Sequence, residues 1–356
     1  MGQASLREAS LEFGALRRDE QRETRREQRD RENAEAIGGM RNPKGSVDQL
    51  PGLGGFGRWF SEFLDEFIVK RPELRTCVET TRRGEPVPFP QEMVREAQLE
   101  LAEALGTELQ ESTGSPLCSS LLRALADWTD DPDASLLADW VDTGAPIGIR
   151  HPIPSTGVFP QVDPEQPPTP VSELFTSPGE ELSHKSAEQD LATSLELLKE
   201  AEAKGFAKIF ESRAELEEYL NTTDLVFNPL GLISKIKPDG TWKHRLIWDL
   251  LRSRVNEAVH QGERIILPML ADVVEDALNL LATLEEDEEV EMLIVDISDA
   301  FNNIPVKKDE RPFLCAKVGD RFVVFLSLVF GSGSSPTVWG RFAALAGRLV
   351  AAIFHS

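Results

Sequence analysis

The chain has 356 residues, with 38 Lys or Arg against 61 Asp or Glu, and a formal net charge of −23. This acidic excess argues against a general nucleic-acid coat protein, but it is compatible with a local basic groove. A hydrophobic content of 40% can form a core, which excludes a wholly disordered protein. The sequence has no apolar run long enough to span a membrane, and its three cysteines lie far apart. We therefore expect no membrane partner and an intracellular location, either cytoplasmic or nuclear.

Residues 1–50 are predicted to be a charged arm, either helical or disordered. Between residues 7 and 35, Arg alternates with Glu or Asp and apolar positions are few. Opposite charges three or four residues apart favour a solvated or fraying helix. An RNA-binding arm is the alternative, which the matching acidic residues make weaker.

Residues 51–150 are predicted to form a small helical region. Apolar side chains recur at helical spacing in three segments, 58–70, 91–110 and 117–128. The first segment carries an aromatic stripe, which we interpret as core: Trp59, Phe60, Phe63 and Phe67.

A proline-rich linker is predicted over residues 151–185. Eight prolines between residues 152 and 178 indicate an extended linker or a segment draped over the surface. Residues 186–224 return to helical spacing and form a helical lead-in to the last region.

Residues 225–356 have the pattern of a mixed α+β domain. Two short strands, over 226–236 and 245–248, flank the turn signal at 238–240. A helix is predicted over 272–284, a solvated acidic loop over 285–289, and a hairpin from 313–318 and 321–328. Pro336 is expected to begin a last helix that continues to residue 353.

The most informative segment is the apolar run at 290–297, which predicts a buried strand. This strand would carry Asp296 at its carboxyl end, where a carboxylate must be exposed or neutralised by a cation such as Mg²⁺. As an isolated residue, Asp296 would more often belong to a turn or a helix cap, and Asp299 equally reads as a cap.

Three blocks, in this order, resemble the fingers–palm region of reverse transcriptases, most closely those of retrotransposons. They are residues 235–249, with Lys235, Lys237 and Arg245; residues 292–301, ending in Asp-Ala-Phe; and the Gly/Ser-rich residues 330–336. The resemblance implies an α+β fold: a partial right-hand polymerase fingers/palm domain over residues 225–356, preceded by a mainly α-helical N-terminal region and a Pro-rich linker.

The resemblance also implies roles for individual residues. Asp296 would be the catalytic metal ligand, with the Ile297 carbonyl as its companion, in a site for two Mg²⁺ ions. The residues implied to contact the nucleotide are Arg245, Lys235 or Lys237, Asp299, Ala300, Phe301 and Gly331. Arg245 would bind the triphosphate and Phe301 would exclude a 2′-hydroxyl. Without the resemblance, Arg245 could equally pair with Asp249 and Phe301 could be core.

The implied activity is RNA-directed DNA polymerisation, with an RNA or DNA template-primer and deoxynucleotide triphosphates as partners. In this family a second metal-binding pair of aspartates follows the third block, and no Asp-Asp follows Pro336 here. We therefore expect a C-terminally truncated fragment that is inactive as written. The alternative is a domesticated, non-catalytic nucleic-acid-binding or interaction protein on a palm scaffold. An unrelated NTPase is disfavoured because the chain lacks a P-loop motif.

Overall fold

Amphipathic helices occupy the first described part of the chain, as their apolar spacing predicts. The computed structural model describes residues 53–82, 89–110, 114–157, 159–161, 168–267, 269–285, 289–290, 292, 294 and 296–354. The predicted helix at 7–35 lies outside these residues. The helices before residue 150 are α1 (Leu53–Val69), α2 (Glu73–Arg82), α3 (Gln91–Ala104), α4 (Ser119–Thr129) and α5 (Ala134–Thr143).

The aromatic stripe of α1 packs against α4, which confirms its interpretation as core. Phe56 is fully buried, and the rings of Trp59 and Trp128 are 4.5 Å apart. Helices α2 and α5 were not predicted. Helix α5 supplies much of the buried surface, including Leu137, Trp140 and Val141.

The described part of the Pro-rich segment lies against the core, which supports the surface-draped alternative. Ile153 bridges Gln261 in parallel register, and the Thr176 amide donates to the Leu225 carbonyl over 2.8 Å. Ile153 and Leu174 are both buried. Residues 50–356 as a whole cluster into one unit.

The lead-in predicted as helix over 186–220 contains a strand. Its elements are α6 (Lys185–Gln189), α7 (Leu191–Ala203), β1 (Ala207–Phe210) and α8 (Arg213–Leu220). Gly205, with φ +78°, adopts a backbone conformation that ends a helix, so α7 stops and the chain becomes extended. Ser212 then begins α8, where its hydroxyl accepts a hydrogen bond from the Glu215 amide.

Two small antiparallel sheets position the rest of the domain. Strand β5 (Arg321–Phe325) lies between β1 and β4 (Cys315–Val318), and β2 (Leu230–Ile236) pairs with β3 (Trp242–Trp248). Both predicted hairpins are thus confirmed. At the β2–β3 turn, the Thr241 hydroxyl and amide donate to Asp239, which holds the pKa of that carboxyl below its ordinary value.

The prediction of a buried strand at 290–297 is wrong for the residues that the structure describes there. Met292 and Ile294 are 69% and 85% exposed, and the described positions form no strand. An apolar run becomes a strand only when a neighbouring strand takes up its backbone hydrogen bonds, and no described strand pairs with this segment. The predicted helices on either side are confirmed, as α9 (Leu270–Leu281) and α10 (Ser335–Phe354).

A buried ionic cluster fastens α10 to the short segment between α4 and α5 and to Glu263. Arg341 is fully buried and donates to Glu263 over 2.7 Å, while Arg348 donates to both oxygens of Asp131 over 2.6 and 2.8 Å. Burial raises the pKa of the nearby Asp133 carboxyl above its ordinary value, against the opposing effect of a hydrogen bond from Thr156. Buried residues of α4 and α5, among them Ala126 and Trp140, share one apolar cluster with those of β4 and β5.

The described chain is thus a mixed α+β structure, as predicted. None of its described helices has the length and apolarity needed to cross a membrane.

Candidate nucleotide-binding cleft

A cleft of about 650 Å³ opens where α7, β3 and the segment at residues 296–302 meet. Helix α7 contributes Leu197, Glu200 and Ala201, and β3 contributes the run from Lys243 to Trp248. The apolar floor of the cleft includes the buried Phe325 and Val329, and Phe206 and Phe330 also line the cleft. Charged side chains of both signs stand at the rim: Glu200, Lys204, Lys243, Arg245, Asp296 and Asp299.

The β2–β3 hairpin has a basic face, and two of its cations, Lys243 and Arg245, also line the cleft. Ile233 lies opposite Arg245 and Lys235 lies opposite Lys243, so these four side chains share one face of the hairpin. Two lysines directly opposite each other repel, and Arg245 adds a third positive charge next to them. An anion bound on this face would relieve that repulsion.

Arg245 is exposed and is available to a ligand. The alternative that it pairs with Asp249 is wrong, because Asp249 contacts His184 over 2.9 Å and also accepts from the Arg252 amide. Among the described residues, no carboxylate forms an ion pair with Arg245.

The segment after Asp296 forms a compact turn that presents polar groups to the cleft. Asp299 has a left-handed backbone, with φ +53°, and its carboxylate accepts from Lys204 Nζ over 2.7 Å. The Asn303 side chain donates to the Ser298 carbonyl over 3.0 Å, which closes the turn. Asp296 is exposed on the same rim.

The Gly-rich loop before α10 is held from the side by Asn256. The Asn256 amide group donates to the Gly331 carbonyl and accepts from the Gly333 amide, both over 2.9 Å. Gly331 has φ +102°, and a Cβ there would lie 2.2 Å from the Trp248 carbonyl oxygen. This position therefore requires glycine, and its close approach fixes the loop against the end of β3.

The structure brings five of the predicted site residues into one cleft. Arg245, Asp296, Ile297, Asp299 and Ala300 all line it. The four others lie elsewhere. Lys235 lies on the basic face of the hairpin, and Lys237 lies at its turn. Gly331 lies against the Trp248 carbonyl. The Phe301 ring lies 5.0 Å from the Phe330 ring and packs against the core.

The sequence interpretation missed two cations of the cleft, Lys204 and Lys243. Lys243 could have been found, because strand register places it beside Arg245 on one face. Lys204 follows α7 about 40 residues before β3, and no local pattern links it to Asp299.

The described residues do not fit a site for two Mg²⁺ ions. Each Mg²⁺ needs several oxygen ligands, and two ions need at least two shared carboxylates. Among the described residues, the segment at 296–302 brings two carboxylates to the cleft, Asp296 and Asp299, and Asp299 pairs with Lys204. In the part of the chain that the structure describes, no group of three His, Cys, Asp or Glu side chains could hold a metal ion. We therefore assign no metal-dependent step to this cleft.

No protein-family model matches the chain, and no curated protein matches it significantly.

Proposed function

We propose that the chain is a fingers–palm region of the retrotransposon reverse transcriptase type. In this proposal its cleft binds the triphosphate of a deoxynucleotide, and the chain as given does not extend a primer. The observation that carries the proposal is the shared cleft of Arg245 and residues 296–300, which the sequence resemblance had paired across about 50 residues of chain.

The basic face of the β2–β3 hairpin supports a phosphate ligand. Arg245 and Lys243 lie on a face that carries three cations, although the whole chain is strongly acidic. A guanidinium binds phosphate oxygens in bidentate fashion, and a lysine adds a mobile point charge. The aromatic side chains that line the cleft, Phe206, Phe325 and Phe330, are suited to an uncharged base or sugar.

Arg245→Ala is expected to weaken dTTP binding between tenfold and a hundredfold. Hydrogen bonds to a charged group contribute about 1.5–3 kcal/mol, and each 1.4 kcal/mol is a factor of ten. The measurement is titration calorimetry of the 356-residue chain with dTTP. Arg123→Ala is the control, since Arg123 is a partly exposed arginine of α4 that lies outside the cleft. Equal losses in the two variants, or no binding of dTTP by the unaltered chain, would refute the nucleotide site.

The 356-residue chain is expected to yield no primer extension on primed RNA with Mg²⁺ and deoxynucleotides. Transfer to a primer 3′-hydroxyl depends on two well-placed metal ions, and Asp296 cannot position both. In a gel-based extension assay, the unaltered chain should form no more product than the Asp296→Asn variant. Templated extension that Asp296→Asn abolishes would overturn the inactive assignment and require a second carboxylate.

The non-catalytic alternative gives a different pair of results. A nucleic-acid-binding protein on the same scaffold would bind primed RNA or DNA without any dTTP binding that depends on Arg245. Filter binding of the primed template, measured beside the calorimetry, separates the two functions.

A further inference from the structure

Helix α9 presents an apolar face to solvent. Its leucines and valines recur at spacings of three and four residues, which places them on one side of the helix. None of the helix's residues is buried, and Leu270 and Leu278 are 80% and 60% exposed. The exposed apolar residues of the helix are Leu270, Val273, Val274, Leu278, Leu280 and Leu281.

Such a face differs from the scattered apolar residues of an ordinary surface. Isolated exposed leucines are common and need no explanation, whereas a contiguous apolar stripe marks an interaction site. The flanking chain shows the same feature, since Leu267 and Met292 are 67% and 69% exposed. Among the acidic residues of the helix, Asp272 lies opposite the apolar stripe, and Glu275 and Asp276 flank its two edges.

The charge of the chain segment that contains α9 restricts what can cover this face. Between Arg264 and Lys307 the sequence has eleven Asp or Glu residues and no Lys, Arg or His. The eleven are Asp272, Glu275, Asp276, Glu285, Glu286, Asp287, Glu288, Glu289, Glu291, Asp296 and Asp299. A second copy of the chain would bring the same acidic region against itself, and an anionic lipid surface would be repelled.

We propose that α9 is the docking surface for an amphipathic helix of another protein, whose apolar stripe is flanked by Lys and Arg. The apolar stripes of the two helices would bury one another, in the manner of a helix laid on an apolar surface. The basic flanks would meet Glu275 and Asp276 at the edges of the α9 stripe, which fixes orientation and speeds association. This inference does not depend on the nucleotide cleft.

The test uses three synthetic helical peptides and the 356-residue chain. The first peptide is an 18-residue Leu/Lys amphipathic helix, the second has the same composition with its helical spacing scrambled, and the third carries Glu in place of Lys. Fluorescence anisotropy measures binding to the unaltered chain and to the double variant Leu270→Ser, Leu278→Ser. Both leucines are largely exposed, so the variant should fold, which circular dichroism checks. Leu182→Ser is the matched control, since Leu182 is 58% exposed outside α9.

The Leu/Lys helix should bind at least about tenfold more tightly than either other peptide. Its binding should weaken about tenfold or more in the double variant and stay unchanged in Leu182→Ser. If the scrambled peptide bound equally well, binding would depend on charge alone and not on an apolar stripe, which would overturn the proposal. Dimerisation of the unaltered chain that the double variant abolishes, seen by sedimentation equilibrium, would overturn it in favour of a second copy.

Discussion

Replacement of Glu310 by alanine is expected to lower the free energy of unfolding by about 3–5 kcal/mol. The Glu310 carboxylate is fully buried and accepts hydrogen bonds from four backbone amides of one short segment, those of Ile147, Ile149, Arg150 and His151. Water can replace the carboxylate at the two partly exposed amides. Water cannot replace the carboxylate at the buried amides of Ile147 and Ile149, and each unsatisfied buried amide costs about 1–3 kcal/mol. Lost charge-assisted hydrogen bonds at all four amides add to this cost.

Urea denaturation of the variant measures this loss, with Asp309→Ala as the matched control. Asp309 is the preceding residue and pairs with His151 at the surface, where both side chains are about half exposed. Its removal should cost less than about 1 kcal/mol, because an exposed ion pair contributes little. Similar losses in the two variants would contradict the role given to the Glu310 carboxylate.

Glu310 illustrates what the sequence could not provide. The helices α1, α3, α4 and α10 and the two hairpins were predictable, because each is specified by apolar spacing and turn residues within a single segment. The contacts of Glu310 with residues 147–151 join positions about 160 residues apart. No local pattern distinguishes a buried glutamate of this kind from a solvated one.

The errors at β1 and at 290–297 have a related cause. Residues 207–210 follow helical spacing well enough to be predicted as helix, but they pair with β5, more than 110 residues later. The run at 290–297 has the composition of a strand and lacks a described partner. Strand formation depends on the pairing edge as much as on the strand's own residues.

The cleft was predictable only in part, for the same reason. Arg245 and Asp296 were singled out because each stands in a recognisable block, and both line the cleft. Asp299 pairs with Lys204, which lies on a separate segment, so this contact could be found only from the three-dimensional structure.

Gly331→Ala is expected to lower the free energy of unfolding by at least about 3 kcal/mol, and to weaken dTTP binding as well. A φ of +102° is strained for any residue with a side chain, at roughly 1–3 kcal/mol. The added Cβ would also lie 2.2 Å from the Trp248 carbonyl oxygen, which is backbone and cannot rotate away. Urea denaturation and calorimetric titration with dTTP measure the two effects.

Gly333→Ala supplies the matched control two residues further along the same loop. A Cβ at Gly333 would lie 3.6 Å from the Asn256 side-chain oxygen, in ordinary contact, and its backbone is not in the left-handed region. A compatible Gly→Ala change restricts the unfolded chain, so it should leave stability unchanged or raise it by up to about 1 kcal/mol.

Trp248 and Phe330 both line the cleft, so a loop displaced at Gly331 must move the cleft wall, whereas one altered at Gly333 need not. If the two variants lost stability equally, the close approach of Gly331 to β3 would not be what holds the loop. If Gly331→Ala lost stability and kept full dTTP binding, the ligand site would have to lie away from the Trp248 end of the cleft.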